Sequence, residues 1–185
     1  MIQFVKNYKQ RKKFLADLDS VRDRLYRTAY SWSHDPDIAD DIVQQTLFNV
    51  INNLSKVRDF DVIDGWVYKV LVRCYSDYYR KNNLLELSEE HEEVANYSHE
   101  RNIDEEQLVC LVRDLIKNIS LAQRQVLTLV DLDGFTYIEV ANILSIPVGT
   151  VMSRLSRARK QLHKQLTNSH VSETATYTDY LRRVK

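Results

Sequence analysis

The stretch TYIEVANILSIPVGTVMSRLSRARKQLHK, Thr136 to Lys164, reads as two short helices separated by a tight turn. Thr136 and Glu139 stand in the T-x-x-E spacing of a capping box, where the hydroxyl takes an orphan amide at the helix start and the carboxylate reaches back. Tyr137, Ala141 and Leu144, at i, i+4 and i+7, give the first helix one apolar stripe, and Ser145 to Pro147 interrupts it. Ser145 occupies a turn position that often carries glycine, so left-handed backbone is expected there. In the second helix Val151, Leu155, Ala158 and Leu162 share a narrow arc, the expected buried edge. The opposite arc holds Ser153, Ser156, Arg157, Lys160 and Lys164, with Met152, Arg154 and Arg159 on the flanks. No acidic residue occurs between Val140 and Thr167. A face made of hydroxyls and cations suits DNA, because arginine pairs bidentately with guanine O6 and N7 while lysine neutralises phosphate. The expectation is a helix-turn-helix with Ser153, Ser156 and Arg157 on base edges and Arg154, Arg159 and Lys160 mainly on phosphates.

The same residues carry a family resemblance. Glu139 and Ala141, then Pro147, Gly149, Thr150 and Val151, then Ser153, Arg154, Leu155, Arg157, Ala158, Arg159 and Leu162 reproduce the order E-x-A, P-x-G-T-V, S-R-L-x-R-A-R and Leu. This resembles the C-terminal promoter-binding domain of bacterial extracytoplasmic-function sigma factors. At the position of Met152 the family often has a polar or basic residue; this chain departs from it, and its apolar side chain is expected to read a thymine methyl instead.

Composition bounds the fold. With 185 residues, three Gly and two Pro, and Leu, Val, Ile and Tyr at helical rather than alternating spacing, the chain is expected to be all-α, in one medium or two small domains. The net charge of zero is a sum of unlike parts: +3 over residues 1–83, −8 over 84–107 and +5 over 108–185. The organisation read from this is a domain over 1–83, an acidic linker over 84–107, the helix-turn-helix domain over 108–166 and a polar tail over 167–185. Cys74 and Cys110 form no C-x-x-C pair and indicate neither a disulfide framework nor a zinc site. The five histidines show no ligand spacing, and there is no nucleophile motif or glycine-rich phosphate loop, so no enzyme, metal or cofactor is expected. With no apolar run of membrane length and no signal-like start, the expectation is a cytoplasmic protein without membrane insertion.

In the first domain, Lys6, Lys9, Arg11, Lys12 and Lys13 form a basic lead-in, read as a solvated helix start with contact to nucleic acid as the alternative. A first core helix is expected from Phe14 to about Trp32, using Leu15, Leu18, Val21, Leu25 and Ala29. Asp35-Pro36 predicts an N-cap with proline at the first helical position and a second helix running to about Leu54. Near its start Asp40, Asp41, Gln44 and Gln45 make a polar patch that resembles the family's E-D-L-V-Q-E motif, which implies binding to core RNA polymerase. A third helix from about Asp64 carries Trp66, Val70 and Cys74 on a wide apolar face, with Arg73, Arg80 and Lys81 beside them. Trp66, Arg73, Asp77 and Arg80 match the family's W-L-x-x-I-x-R-N-x-x-x-D-x-x-R pattern, which implies capture of the melted −10 element; Cys74 stands where the family has Asn. In the second domain a helix from Ile103, using Leu108, Leu111, Val112, Leu115, Ile116 and Ile119, and another opened by a Ser120/Gln123 box and ending at Gly134 are expected to support the helix-turn-helix. The resemblance as a whole implies a sigma factor with core polymerase, promoter DNA and an anti-sigma factor as partners. A stand-alone helix-turn-helix regulator and a sigma-like adaptor without promoter preference are the alternatives.

Overall fold

The computed structural model describes residues 2–57, 59–81 and 114–168. The acidic linker, Cys110, the helix expected from Ile103 up to residue 113 and the tail beyond 168 lie outside them. All regular structure among the described residues is helical. It falls into two compact units, the first holding helices α1 (Ile2–Ala16), α2 (Leu18–Ser33), α3 (Pro36–Asn53) and α4 (Ile63–Lys81). The second holds α5 (Leu121–Leu127) and, beyond α6 (Tyr137–Leu144), the long α7 (Val148–Asn168).

In the first unit α2, α3 and α4 pack on one another. Val21, Leu25, Ala29 and Trp32 of α2 meet Ala39, Ile42, Val43 and Val50 of α3 and Val67, Leu71 and Tyr75 of α4 in the buried core. Trp32 and Tyr75 meet edge to face with ring centroids 5.4 Å apart, and the Tyr75 hydroxyl donates to the Trp32 carbonyl at 3.1 Å. The α3 start follows expectation: Asp35 Oδ1 accepts from the amides of Asp37 and Ile38 at 2.9 and 3.0 Å, with Pro36 opening the helix. The periodicity from Phe14 to Trp32 is not one helix. The chain turns at Asp17 (φ −103°, ψ 15°), so Phe14 is buried at the end of α1 while Leu15, expected in the core, is 39% exposed. The basic lead-in is itself helical as α1.

In the second unit α5 packs against α7, with Val126, Leu127 and Leu129 buried against Val151, Leu155, Ala158 and Leu162. The expected Ser120/Gln123 box is absent, because Ser120 makes no side-chain cap and only its carbonyl is used, accepting from the Gln123 and Arg124 amides. Arg124, 9% exposed, does the stapling: its guanidinium donates to the carbonyls of Lys117 and Ile119, both at 2.9 Å. After α5 the chain widens into a π-helical turn, Thr128–Leu132, and leaves it through Gly134 at φ 80°, the left-handed geometry glycine adopts without steric cost.

Candidate nucleic-acid interface

Helix α6 begins at the Thr136 box as its sequence demands. The Glu139 carboxylate accepts from the Thr136 amide at 2.8 Å and hydroxyl at 2.7 Å, while Thr136 Oγ1 accepts from the Glu139 amide at 3.3 Å. These bonds to Thr136 favour the ionised form and hold the Glu139 carboxyl below its ordinary range. The sign of the linkage follows: the contribution is fully present above the unfolded carboxyl value of about 4.3 and is lost as pH falls through the lower folded value. Thermal unfolding of Glu139→Gln should accordingly lose less stability than wild type between about pH 5 and pH 3. Parallel acid profiles for the two proteins would contradict this.

The turn that follows has Ser145 at φ 55°, the left-handed conformation foreseen from its position, at a steric cost of about 1 kcal/mol for a residue with a Cβ. The Ile146 amide closes back on the Ala141 carbonyl at 3.0 Å, and the Pro147 carbonyl accepts from Thr150 and Val151 to start α7. Helices α6 and α7 meet at 104°, inside the range of helix-turn-helix motifs.

Helix α7 separates its two faces as the spacing required. Val151, Leu155, Ala158 and Leu162 are at most 2% exposed, whereas Met152, Ser153, Ser156, Arg157, Lys160 and Lys164 all face outward. From Met152 to Lys164 this face runs about 18 Å at 1.5 Å per residue, enough to follow a major groove over several base pairs. Met152, 54% exposed, presents its thioether to solvent. The Ser153 hydroxyl donates to the Thr150 carbonyl at 3.1 Å, so toward DNA it is an acceptor. Arg154 is half-buried at the rim of the face.

Arg159 departs from expectation. Its guanidinium grips the Asp131 carboxylate with two bonds, of 2.6 and 3.2 Å, and the carboxylate side chain is only 6% exposed. A bidentate pair with a carboxylate that deep gives Arg159 a place in the protein's own architecture. Asp131 sits on the π-helical turn, 28 residues from its partner, and no local signal in the sequence marks it.

In the first unit, α3 and α4 lie antiparallel, shown by the contact of Asn49 with Cys74 and the proximity of Asp41 to Tyr78. Between them runs an open groove lined by Asp41, Gln44 and Gln45 from α3 and by Cys74, Asp77 and Lys81 from α4. Two residue sets that the sequence kept apart therefore share one depression. Tyr78 beside it has its hydroxyl pushed up by burial and then by the Asp41 charge. Asp40, grouped with Asp41 in the sequence, pairs instead with Arg22 of α2 at 3.2 Å. Phe48, 63% exposed, was missed; it stands seven residues after Asp41 and four after Gln44, a helical spacing that places it on the same face.

On α4, Asp77 accepts from Arg80 at 2.6 Å and lies 3.9 Å from Arg73, whose side chain is 84% exposed. Lys81 is exposed and Trp66 half-buried. Cys74, which lines the groove, is a free thiol, 6% exposed, and its Sγ accepts from Asn49 Nδ2 at 3.3 Å. No cluster of His, Cys, Asp or Glu able to hold a metal occurs among the described residues, and no single helix among them is long and apolar enough to cross a membrane.

Residues 18–84 match the model of sigma-70 region 2 and residues 111–162 that of sigma-70, region 4, together well over half of the chain. The relatives include the ECF RNA polymerase sigma factor SigE of Mycolicibacterium smegmatis, 27% identical over 158 residues, 83% of this chain and 61% of that protein's length. They also include EcfG of Rhodopseudomonas palustris, 29% identical over 155 residues, 78% of this chain and 83% of the relative. The chain belongs to the extracytoplasmic-function sigma factors. The fold of this sigma factor agrees with that of the sigma factor RpoE from Bartonella quintana, solved in complex with the anti-sigma factor NepR: TM-score 0.66, 26% identity, 84% of this chain and 98% of that one. The region 2 match falls on the unit that carries the α3–α4 groove, and the region 4 match covers the helix-turn-helix up to Leu162. Like the family, this sigma factor is a non-enzymatic recognition subunit for transcription initiation.

Proposed function

We propose that this sigma factor carries core RNA polymerase to its promoters with a fixed division of labour. The outer face of α3, through Asp41, Gln44, Gln45 and Phe48, docks on the polymerase; Asp40 contributes by holding α2 and α3 together. Trp66, Arg73, Asp77, Arg80 and Lys81 of α4 receive the melted −10 element, where stacking and phosphate neutralisation are both needed. Cys74 acts behind that face, holding Asn49 rather than touching a base. The outer face of α7 reads the −35 duplex: Ser153, Ser156 and Arg157 at base edges, Met152 against a thymine methyl, Arg154, Lys160 and Lys164 on phosphates. All of this takes place in the cytoplasm, where the polymerase is. An anti-sigma factor is a further partner, supported by the relative that was solved bound to NepR.

The observation that carries the reading is the outward face of α7, where Arg157, Lys160 and Lys164 are exposed and have no carboxylate partner among the described residues. Initiation from a promoter library by the purified chain with core polymerase tests it, and absence of any promoter-specific transcript refutes it. Specific duplex binding as a dimer without polymerase would favour the stand-alone regulator instead. Within the −35 contacts, Arg157→Ala should cost roughly 1 to 3 kcal/mol and relax the preference at one base pair, while Lys164→Ala should weaken all sequences alike and reduce the salt slope by about one. Binding-site selection on both variants checks this, and an unaltered base preference in Arg157→Ala would remove that residue from the base-reading set.

A further inference from the structure

Helix α1, IQFVKNYKQRKKFLA, contains five cations and no acidic residue. Lys9, Lys12 and Lys13 fall within about 100° of helix arc, as i, i+3 and i+4 neighbours, while Arg11 falls on the other side of the helix, nearer the arc of Phe14. All four are exposed, and none has an ion-pair partner among the described residues. The contrast within the same unit is direct: Arg22 faces Asp40, Arg24 faces Asp64, and Arg73 and Arg80 face Asp77. Like charges at i, i+3 and i, i+4 weaken a helix by a few tenths of a kcal/mol per pair, so this face is a net cost to the fold in isolation. On the opposite side Phe14 is buried, so α1 is seated on the unit and presents the lysines outward. Its position is set by Gln10, whose Nε2 donates to Asp61 Oδ1 at 2.8 Å, tying α1 to the loop that leads into α4 just before Trp66.

We propose that the lysine face of α1 grips the phosphate backbone of double-stranded DNA beside the −10 element, as a sequence-independent clamp. The proposal rests on the promoter reading above and adds a contact to it. A row of lysines on one rigid helix offers point charges to phosphates without a bidentate fork, which gives affinity and salt dependence and no base preference. Its place next to the start of α4 puts the clamp against duplex while Trp66 and the α4 cations receive the melted strand.

The test uses the full chain with core polymerase and a labelled promoter duplex, with affinity measured across a series of salt concentrations. Each phosphate contact contributes about 0.9 to the steepness of log K against log salt. The triple variant Lys9→Gln/Lys12→Gln/Lys13→Gln should flatten that slope by roughly 2 to 3 and bind more weakly on promoter and on unrelated duplex alike, with base preference unchanged. The charge-preserving variant Lys9→Arg/Lys12→Arg/Lys13→Arg should keep the wild-type slope, which separates lost charge from a damaged helix. An unchanged slope in the glutamine variant, beside a wild type that retains promoter preference, overturns the clamp alone. A fall in affinity for core polymerase in the absence of DNA, with the DNA slope intact, also overturns it and assigns α1 to the polymerase. A wild type with no promoter preference would instead overturn the reading on which the clamp rests.

Discussion

Trp32→Ala should unfold the first unit at physiological temperature while leaving the second unit's transition in place. Trp32 is 2% exposed and stands where α2 meets α4, edge-on to Tyr75. Truncating a buried tryptophan to alanine costs about 3 to 5 kcal/mol, and the lost aromatic pair is part of that cost. A unit of this size holds only about 5 to 15 kcal/mol in total, and small units sit at the low end, so the substitution consumes most of its margin. The consequence for function is selective: core polymerase binding through α3 should be lost, because α3 has nothing to pack against once α2 and α4 part. Calorimetry of the full chain with polymerase pull-down checks both halves. A loss below about 1 kcal/mol, with binding intact, would mean that the aromatic cluster is not the centre of this core.

Asp131→Ala is expected to destabilise the second unit by about 2 to 3 kcal/mol. Breaking a buried ion pair commonly costs about 3 to 5 kcal/mol, and the lower range applies here because Arg159, 33% exposed, can turn its freed charge to water. The reverse truncation, Arg159→Met, should cost more, since the Asp131 carboxylate at 6% exposure has no such route. A double-mutant cycle on the two positions should return a coupling well above that of an exposed pair, about 1 kcal/mol at most. The same variants decide between two roles for Arg159. As an architectural residue its removal lowers stability and leaves the salt slope of −35 binding unchanged at a temperature where the unit is folded. As a phosphate contact its removal would flatten that slope by about one with stability intact; that outcome would restore the role expected from its place in the S-R-L-x-R-A-R pattern.

The geometry of the pair also explains how a helix is aimed by a residue far from it in sequence. The apolar stripe of Val151, Leu155, Ala158 and Leu162 decides which arc of α7 is buried, but non-directional contacts hold its slide along the unit only weakly. A two-bond grip between Arg159 and Asp131 is directional, and it pins that slide. The exposed face then presents Ser153, Ser156 and Arg157 together, on successive turns.

Much of this molecule is written locally. The box at Thr136 and Glu139, the Asp35-Pro36 start, the left-handed turn at Ser145 and the division of α7 into a buried and an exposed arc all follow from neighbours within four residues, and the structure realises each of them. Helical structure closes its contacts over that range, so the spacing of side chains along the chain already states them. Where a local pattern has competitors, sequence alone misleads: the S-x-x-Q spacing at Ser120 forms no box, with the Arg124 guanidinium bonded to the Lys117 and Ile119 carbonyls just ahead of that turn.

What the tertiary structure alone decided are the pairings across long separations: Arg159 with Asp131, Asp40 with Arg22, Cys74 with Asn49, and the shared groove of α3 and α4. A cation reads the same in sequence whether it meets a phosphate or a carboxylate. Only packing determines which counter-charge comes within 3 Å, because burial of that partner is set by elements dozens of residues away.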